Sequence, residues 1–427
     1  MSVSLRFRST LSGVAAIAMI AAAARPAISD EYRTPRAGET VTGTLFGKTI
    51  SAPERDRRRI TYLNIGGVFV PGGPEEKTAS PMGGLYLWRV PEGDASRLRA
   101  IVAGISNEVR WDGALPGAKG FSLVLSLDSL TLPWARSEYA EGARLAAGEL
   151  KWSQARAGTG IAWRTGLAPG ACDNGLDAAL TYEPGGLWFS RGSDTTPGYA
   201  VPVHTYEGRL HLRLRADALE RNLLEMPHRG FAAGLDGVAG WRSRWEPWGL
   251  PAALESGGRS WQAVSAFAFA AFAPAPGLSE RHRLIASVHA GTGPNLDRFS
   301  AFRLGGGSTW GDFETLSRIV LPGAGVDELF SSRYAIVDVE YRYEALFFLY
   351  LQLKGTLAWA DRNVTADGGT AMRNGSFPAL TAGVTSGLPW DLALELSASW
   401  NFGLERVKDG RVEKGSLGLL VSLTKEF

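Results

Sequence analysis

Arg209, His211, Arg213 and Arg215 recur at every second position with Leu210, Leu212 and Leu214 between them. In an extended chain that spacing puts all four basic groups on one face and the leucines on the other. Such a stripe either biases a water-filled passage toward anions or pairs with carboxylates. Pairing across a lumen with Asp338, Glu340 and Glu344 is the expectation, because 45 Lys+Arg stand against 43 Asp+Glu, a formal net charge of +2. The same balance excludes a charge-driven nucleic-acid binder. His204, His211, His228, His282 and His289 lack the close spacing with acidic neighbours of a metal pair. His289 falls in phase with Arg281, Arg283 and Ser287, which turns it inward as a lining residue. Gly104-Ile105-Ser106-Asn107-Glu108 begins like a serine-hydrolase elbow and fails at its last position. Cys172 is the single cysteine, so no intrachain disulfide and no multi-thiolate site can form. No catalytic residue, metal or cofactor is expected.

The elements that would carry these groups read with a period of two. Leu392, Leu394, Leu396, Ala398, Trp400 and Phe402 alternate with Ala393, Glu395, Ser397, Ser399 and Asn401. The same pattern recurs at Ala335–Tyr343, Leu349–Trp359, Arg209–Arg215 and Phe121–Asp128. Several runs reach ten residues or more, close to the ~9–11 that cross a bilayer at a tilt. Aromatic residues cap the apolar faces, as with Trp390, Trp400, Phe402, Tyr341 and Tyr343, where interfacial girdles belong. Tight turns near Glu344 and Leu388-Pro389 alternate with long polar stretches at Gly305–Ser331, Asp361–Ser376 and Gly403–Gly415. The pattern predicts an all-β fold, a transmembrane antiparallel outer-membrane barrel, closed because lipid tolerates no open sheet edge.

Arg6 and Arg8, the apolar run Leu11–Ala24 and Ala27-Ile28-Ser29 predict a signal peptide over 1–29, cleaved after Ser29. Residues 30–59, ending in Arg55, Arg57, Arg58 and Arg59, read as a periplasmic tail, a lumen plug or a solvated linker. Residues 60–427 read as the barrel. Eight strands are legible near 416–427, 390–402, 377–387, 346–360, 333–344, 297–304, 281–291 and 261–273. At ~25 residues per strand and connection the mature chain holds about sixteen. The first half, with Gly66-Gly67, Gly83-Gly84 and Gly185-Gly186, is too irregular to count.

Two stretches resemble known outer-membrane sequences. Ser416-x-Gly418-x-x-Val421-x-Leu423, closing on Phe427, is similar to the carboxy-terminal recognition signal of bacterial outer-membrane proteins, although Lys425 stands where an apolar residue is usual. That implies the outer-membrane insertion machinery as a partner during biogenesis. Phe302-x-Leu304-Gly305-Gly306-Gly307, then Trp310-Gly311-Asp312-Phe313, a long loop and two long strands ending Gly355-Thr356-Leu357-Ala358-Trp359 resemble the carboxy-terminal barrel half of the outer-membrane assembly and surface-antigen family. That family includes BamA- and TamA-type proteins, two-partner secretion transporters and the barrels attached to bacterial patatins. The resemblance implies a loop folded back into the lumen. In the family an arginine of that loop pairs with an acid on the following strands; here no arginine stands in the motif, and Gln352, Leu353 and Lys354 occupy the acid's place.

Two functions follow. One is an assembly or translocation barrel without periplasmic transport-associated modules, with weakly sealed first and last strands, a plugging loop and a polypeptide client. The other is a passive porin selecting a small solute. Both place the chain in the bacterial outer membrane, among lipid.

Overall fold

Sixteen antiparallel strands close on themselves in the computed structural model, which describes residues 32–427 except 46, 75–77, 92–95, 133, 252, 256, 308–314 and 367–368. The expected signal peptide therefore lies outside the described residues. The wall is β1 (Arg59–Phe69), β2 (Ala79–Arg89), β3 (Ser96–Val102), β4 (Ser106–Ala114), β5 (Phe121–Thr131) and β6 (Ala143–Gly166). It continues with β7 (Gly175–Arg191), β8 (Thr205–Arg221), β9 (Pro227–Arg242), β10 (Ser260–Phe272) and β11 (His282–Thr292). It ends with β12 (Arg333–Leu346), β13 (Leu349–Ala366), β14 (Ala379–Leu388), β15 (Leu392–Lys408) and β16 (Arg411–Glu426). Each strand pairs with the next, and β16 returns to β1 from Leu419↔Phe69 to Glu426↔Tyr62.

The period of two decides which face is wet. Leu210, Leu212 and Leu214 are 44%, 39% and 40% exposed on the outside, whereas Arg213 between them is 9% exposed. Leu396, Trp400, Leu351, Leu353, Leu123, Leu125 and Leu127 also point outward, so the apolar side chains are not hidden between two sheets. Aromatic rings cluster at both ends of this apolar belt. Tyr182 stacks on Trp241 with ring centroids 5.8 Å apart. At the other end Phe121 stands opposite Trp163, and Trp390 and Phe427 are largely exposed.

The two rims differ. One carries the start of β1, the end of β16 and the short connections at 222–226, 347–348 and 389–391; the other carries the long ones at 192–204, 243–259 and 293–332. Heights differ as well, from seven residues in β3 to 24 in β6.

Two readings of the sequence are corrected. Residues 297–304 are not a wall strand: only Phe302–Leu304 is extended, and it pairs with Leu329–Ser331 inside the long connection. Asp361–Ser376 and Gly403–Gly415 are ladders rather than irregular loops. β13 continues against Gly369–Ser376, and β15 against β16 as far as Lys408↔Arg411. Polar composition there marks exposure above the wall, which does not interrupt backbone pairing. The first and last strands meet along a short ladder. Their seam spans eight register pairs, β2 with β3 only five, and the Asn64 side-chain amide donates across the seam to Ser422 and Thr424 at 2.7 and 2.8 Å.

Candidate functional site: an occluded lumen

The 293–332 connection leaves the long-loop rim and folds into the barrel. Its neck is the two-stranded piece Phe302–Leu304 with Leu329–Ser331. Beyond the neck the two arms lie so close that glycine is required. A Cβ on Gly305 would stand 2.2 Å from the Asp327 nitrogen, and one on Gly306 2.2 Å from the Ala324 carbonyl. Leu321 N–H donates to the Gly305 carbonyl at 2.8 Å and Gly306 N–H to Gly325 at 3.0 Å. Leu304, Leu321 and Ala324 are fully buried against Tyr334, Ile336, Ala358 and Phe377. At the far end Leu316 packs on Ala232, Phe267 and Ile285 of the opposite inner wall. Leu304, Gly305 and Gly306 thus sit where the loop enters the lumen. Trp310, Gly311 and Phe313 lie outside the described residues.

One ion pair fastens the returning arm. The Arg406 guanidinium on β15 meets Glu328 of the loop at 2.6 and 3.0 Å, and each side chain is 2% exposed. Arg406 also donates to Ser416 Oγ at 3.0 Å, to the Gly323 carbonyl at 3.2 Å and to the Glu405 carbonyl at 2.9 Å. Five bonds match its five N–H groups, the condition for burying a charge at tolerable cost. Asn401 Nδ2 donates to the Pro322 carbonyl at 2.8 Å and Ser416 Oγ to Gly323 at 2.6 Å. Gly323 has φ +81°, a left-handed backbone that glycine adopts without strain. A sequence read with the arginine expected in the loop and the acid on the strands misses this pair. Here the acid is in the loop and the arginine on the wall, 78 residues away.

The basic stripe faces the lumen, and its partners correct the expectation of pairing across it. Arg209 meets Glu183 at 2.6 Å, His211 bridges Glu183 and Asp236 at 3.0 Å each, Arg213 meets Asp177 at 3.3 Å and Arg215 meets Asp236 at 2.7 Å. All these acids lie on β7 and β9, the strands flanking β8. Asp338 instead accepts from Thr356 and Ser287, and Glu340 pairs with Arg342 at 2.6 Å. Neighbouring strands stand closer than opposite walls, so ladder register chooses the partners.

Packed side chains at one rim and the tail at the other narrow both ends of the lumen. At the long-loop rim Trp245, Trp248 and Phe299 pack onto Leu150, Trp152, Leu187 and Phe189, with Phe189 and Phe299 ring centroids 4.7 Å apart. Arg242 lies over the Trp245 ring at 3.9 Å and pairs with Glu207 and Asp297. At the short-turn rim the tail from Tyr32 to Arg58 crosses the turns. Thr34 is fully buried; its hydroxyl donates to Glu344 at 2.6 Å and to the Glu280 carbonyl at 3.2 Å, and its backbone N–H reaches the Glu280 carboxylate at 3.0 Å. Arg36 meets Glu220 at 3.1 Å, Arg55 meets Glu225 and Glu426 at 2.8 and 2.9 Å, and Arg57 meets Asp173 and Glu225 at 3.2 and 2.8 Å. Burial alone raises the Asp173 carboxyl, but Arg221 and Arg57 outweigh it and hold it below the usual carboxylate range. These contacts dock the described part of the tail against the short-turn rim.

The carboxy-terminal residues divide by face. Val421, Leu423 and Phe427 point outward, whereas Gly418 faces the loop. Among the described residues no group of three or more His, Cys, Asp or Glu is placed to hold a metal ion.

No family model matches the sequence, and no curated protein matches it. Among solved structures the chain is similar to BamA from Haemophilus ducreyi lacking POTRA domains 1–3, at 13% identity and a TM-score of 0.49, covering 90% of this chain and 75% of that one. It is similar to CdiB from Escherichia coli at 13% identity and a TM-score of 0.49, covering 94% and 69%. A Pseudomonas aeruginosa FadL homologue matches at 12% identity and a TM-score of 0.33, covering 87% and 90%.

Proposed function

We propose that this chain is a bacterial outer-membrane barrel of the assembly or translocation kind. It rests closed and opens for a polypeptide client when the 293–332 loop leaves its seat. The observation that carries this reading is the Glu328–Arg406 pair, which holds the loop by its returning arm inside a lumen narrowed at both rims. Lipid is the partner of the leucine and aromatic belt, and the insertion machinery reads the last strand during biogenesis. The experiment is planar-bilayer recording of the intact chain beside a variant lacking 306–323. The intact chain is expected to be silent or to open rarely, and the shortened one to conduct steadily. Steady conductance from the intact chain, unchanged by the deletion, overturns the reading.

A passive porin is the second reading, and the charged inner wall of β7, β8 and β9 supports it. It requires steady conductance without any release of the loop.

A further inference from the structure

We propose that the lumen holds a binding site for a compact oxyanion, at the blind end of a half-channel entered from the short-turn rim. Three cavities lie in series along the inner faces of β3 to β9. The outermost, about 610 Å³, is bounded by the connections at Gly117–Gly120 and Gly170–Asn174. A narrower space of about 90 Å³ shares Arg97, Asp112, Arg164 and Asp177 with it. The innermost, about 410 Å³, shares Arg99, Arg110, Arg213 and Arg215 with the narrow space. Beyond it the packed Trp245, Trp248 and Phe299 close the other rim.

What singles out the inner chamber is a charge left over. Its wall arginines are matched: Arg209 with Glu183, Arg215 with Asp236, Arg213 with Asp177, Arg110 with Asp112 at 2.9 Å, Arg156 with Asp128 and Glu207, and Arg99 with Glu108. Arg318, carried on the plugging loop just after Thr315–Ser317, lines the same chamber. Among the described residues it has no carboxylate within 4 Å and no hydrogen-bond acceptor. Its guanidinium is exposed to the lumen beside Gly307, where a Cβ would come within 2.9 Å of Nη2. Lys354, on the other side of the loop arm, is likewise without a carboxylate within 4 Å, because Glu340 opposite it is taken by Arg342. The chamber is lined by the carboxylates Glu108, Asp128, Glu183 and Asp236 as well as by seven arginines including Arg318, so the guanidinium fork of Arg318 is the group there that fits a doubly charged oxyanion, which it grips through paired N–H donors. The chamber has the size of a small-molecule site. Phosphate-bearing and carboxylate-bearing solutes share this chemistry.

The site is independent of whether the barrel passes polypeptide or solute, so its test needs no conductance. The intact chain in nanodiscs of zwitterionic lipid is titrated calorimetrically with inorganic pyrophosphate, with citrate, and with sucrose as an uncharged control, at ~0.15 M salt. Saturable binding of one or both anions and none of sucrose is expected; which anion binds tells phosphate from carboxylate. Arg318→Ala is expected to weaken binding roughly tenfold or more, and Arg318→Lys by less. Because Arg318 has no partner among the described residues, an unchanged melting temperature is expected to accompany that loss. Absence of saturable binding by the intact chain, or equal affinity in Arg318→Ala, overturns the proposal.

Discussion

Gly418 of β16 and Gly323 of the plugging loop touch backbone to backbone: a Cβ built on Gly418 would lie 2.9 Å from the Gly323 Cα. The wall therefore has a seat shaped for the loop at that point, and a side chain there must push the loop away. Gly418→Val is expected to convert a silent barrel into a conducting one, at a cost of about 1–3 kcal/mol in stability from overpacking. Single-channel recording beside denaturant unfolding in micelles checks both halves; a silent, fully stable variant contradicts the seat.

Arg406 and Glu328 form a fully hydrogen-bonded pair away from water. Removing one partner strands the other, so Arg406→Ala is expected to destabilise the barrel by about 3–5 kcal/mol. The double variant Arg406→Ala with Glu328→Ala is expected to lose less than the two single losses summed. A double-mutant cycle on urea unfolding measures that coupling, and simple additivity would show the pair to be idle.

Acid is expected to loosen the tail. The Asp173 carboxyl lies below its ordinary range when the tail is docked, so its contribution is present above about pH 4 and is lost as pH falls through the depressed value. Melting temperatures taken from pH 7 down to 3 are expected to fall more steeply for the intact chain than for Asp173→Asn. Parallel curves would remove Asp173 from the account.

The outward face should resist charge according to depth. Leu396 lies on the apolar side of β15 and Ser397 on the lumen side. Leu396→Arg is expected to cost about 2–4 kcal/mol in liposomes and Ser397→Arg far less. Equal costs would mean that the belt does not meet hydrocarbon.

Alternation made the wall legible because side-chain direction in a strand is a local property: Leu210, Leu212 and Leu214 declare their face without any knowledge of neighbours. Partners were not legible, because they depend on register between distant strands. The basic stripe of β8 looked toward Asp338 and Glu340 on charge alone, yet the ladder set Glu183 and Asp236 beside it. The entry of the loop could be read from Leu304 and the glycines after it, whereas Glu328 and Arg406 carry no local sign of each other. Trp245, Trp248 and Phe299 resemble ordinary loop residues until the connections fold inward and pack them into one cluster.

The tail described at the short-turn rim has a consequence for the order of events. Tyr32, Thr34 and Arg36 find their partners at Glu344, Glu280 and Glu220, up to 312 positions downstream. None of those carboxylates is in place until β8 to β12 have assembled side by side. A stretch that precedes the whole wall in the sequence is therefore among the last to settle, and its docking reports that the cylinder behind it is finished.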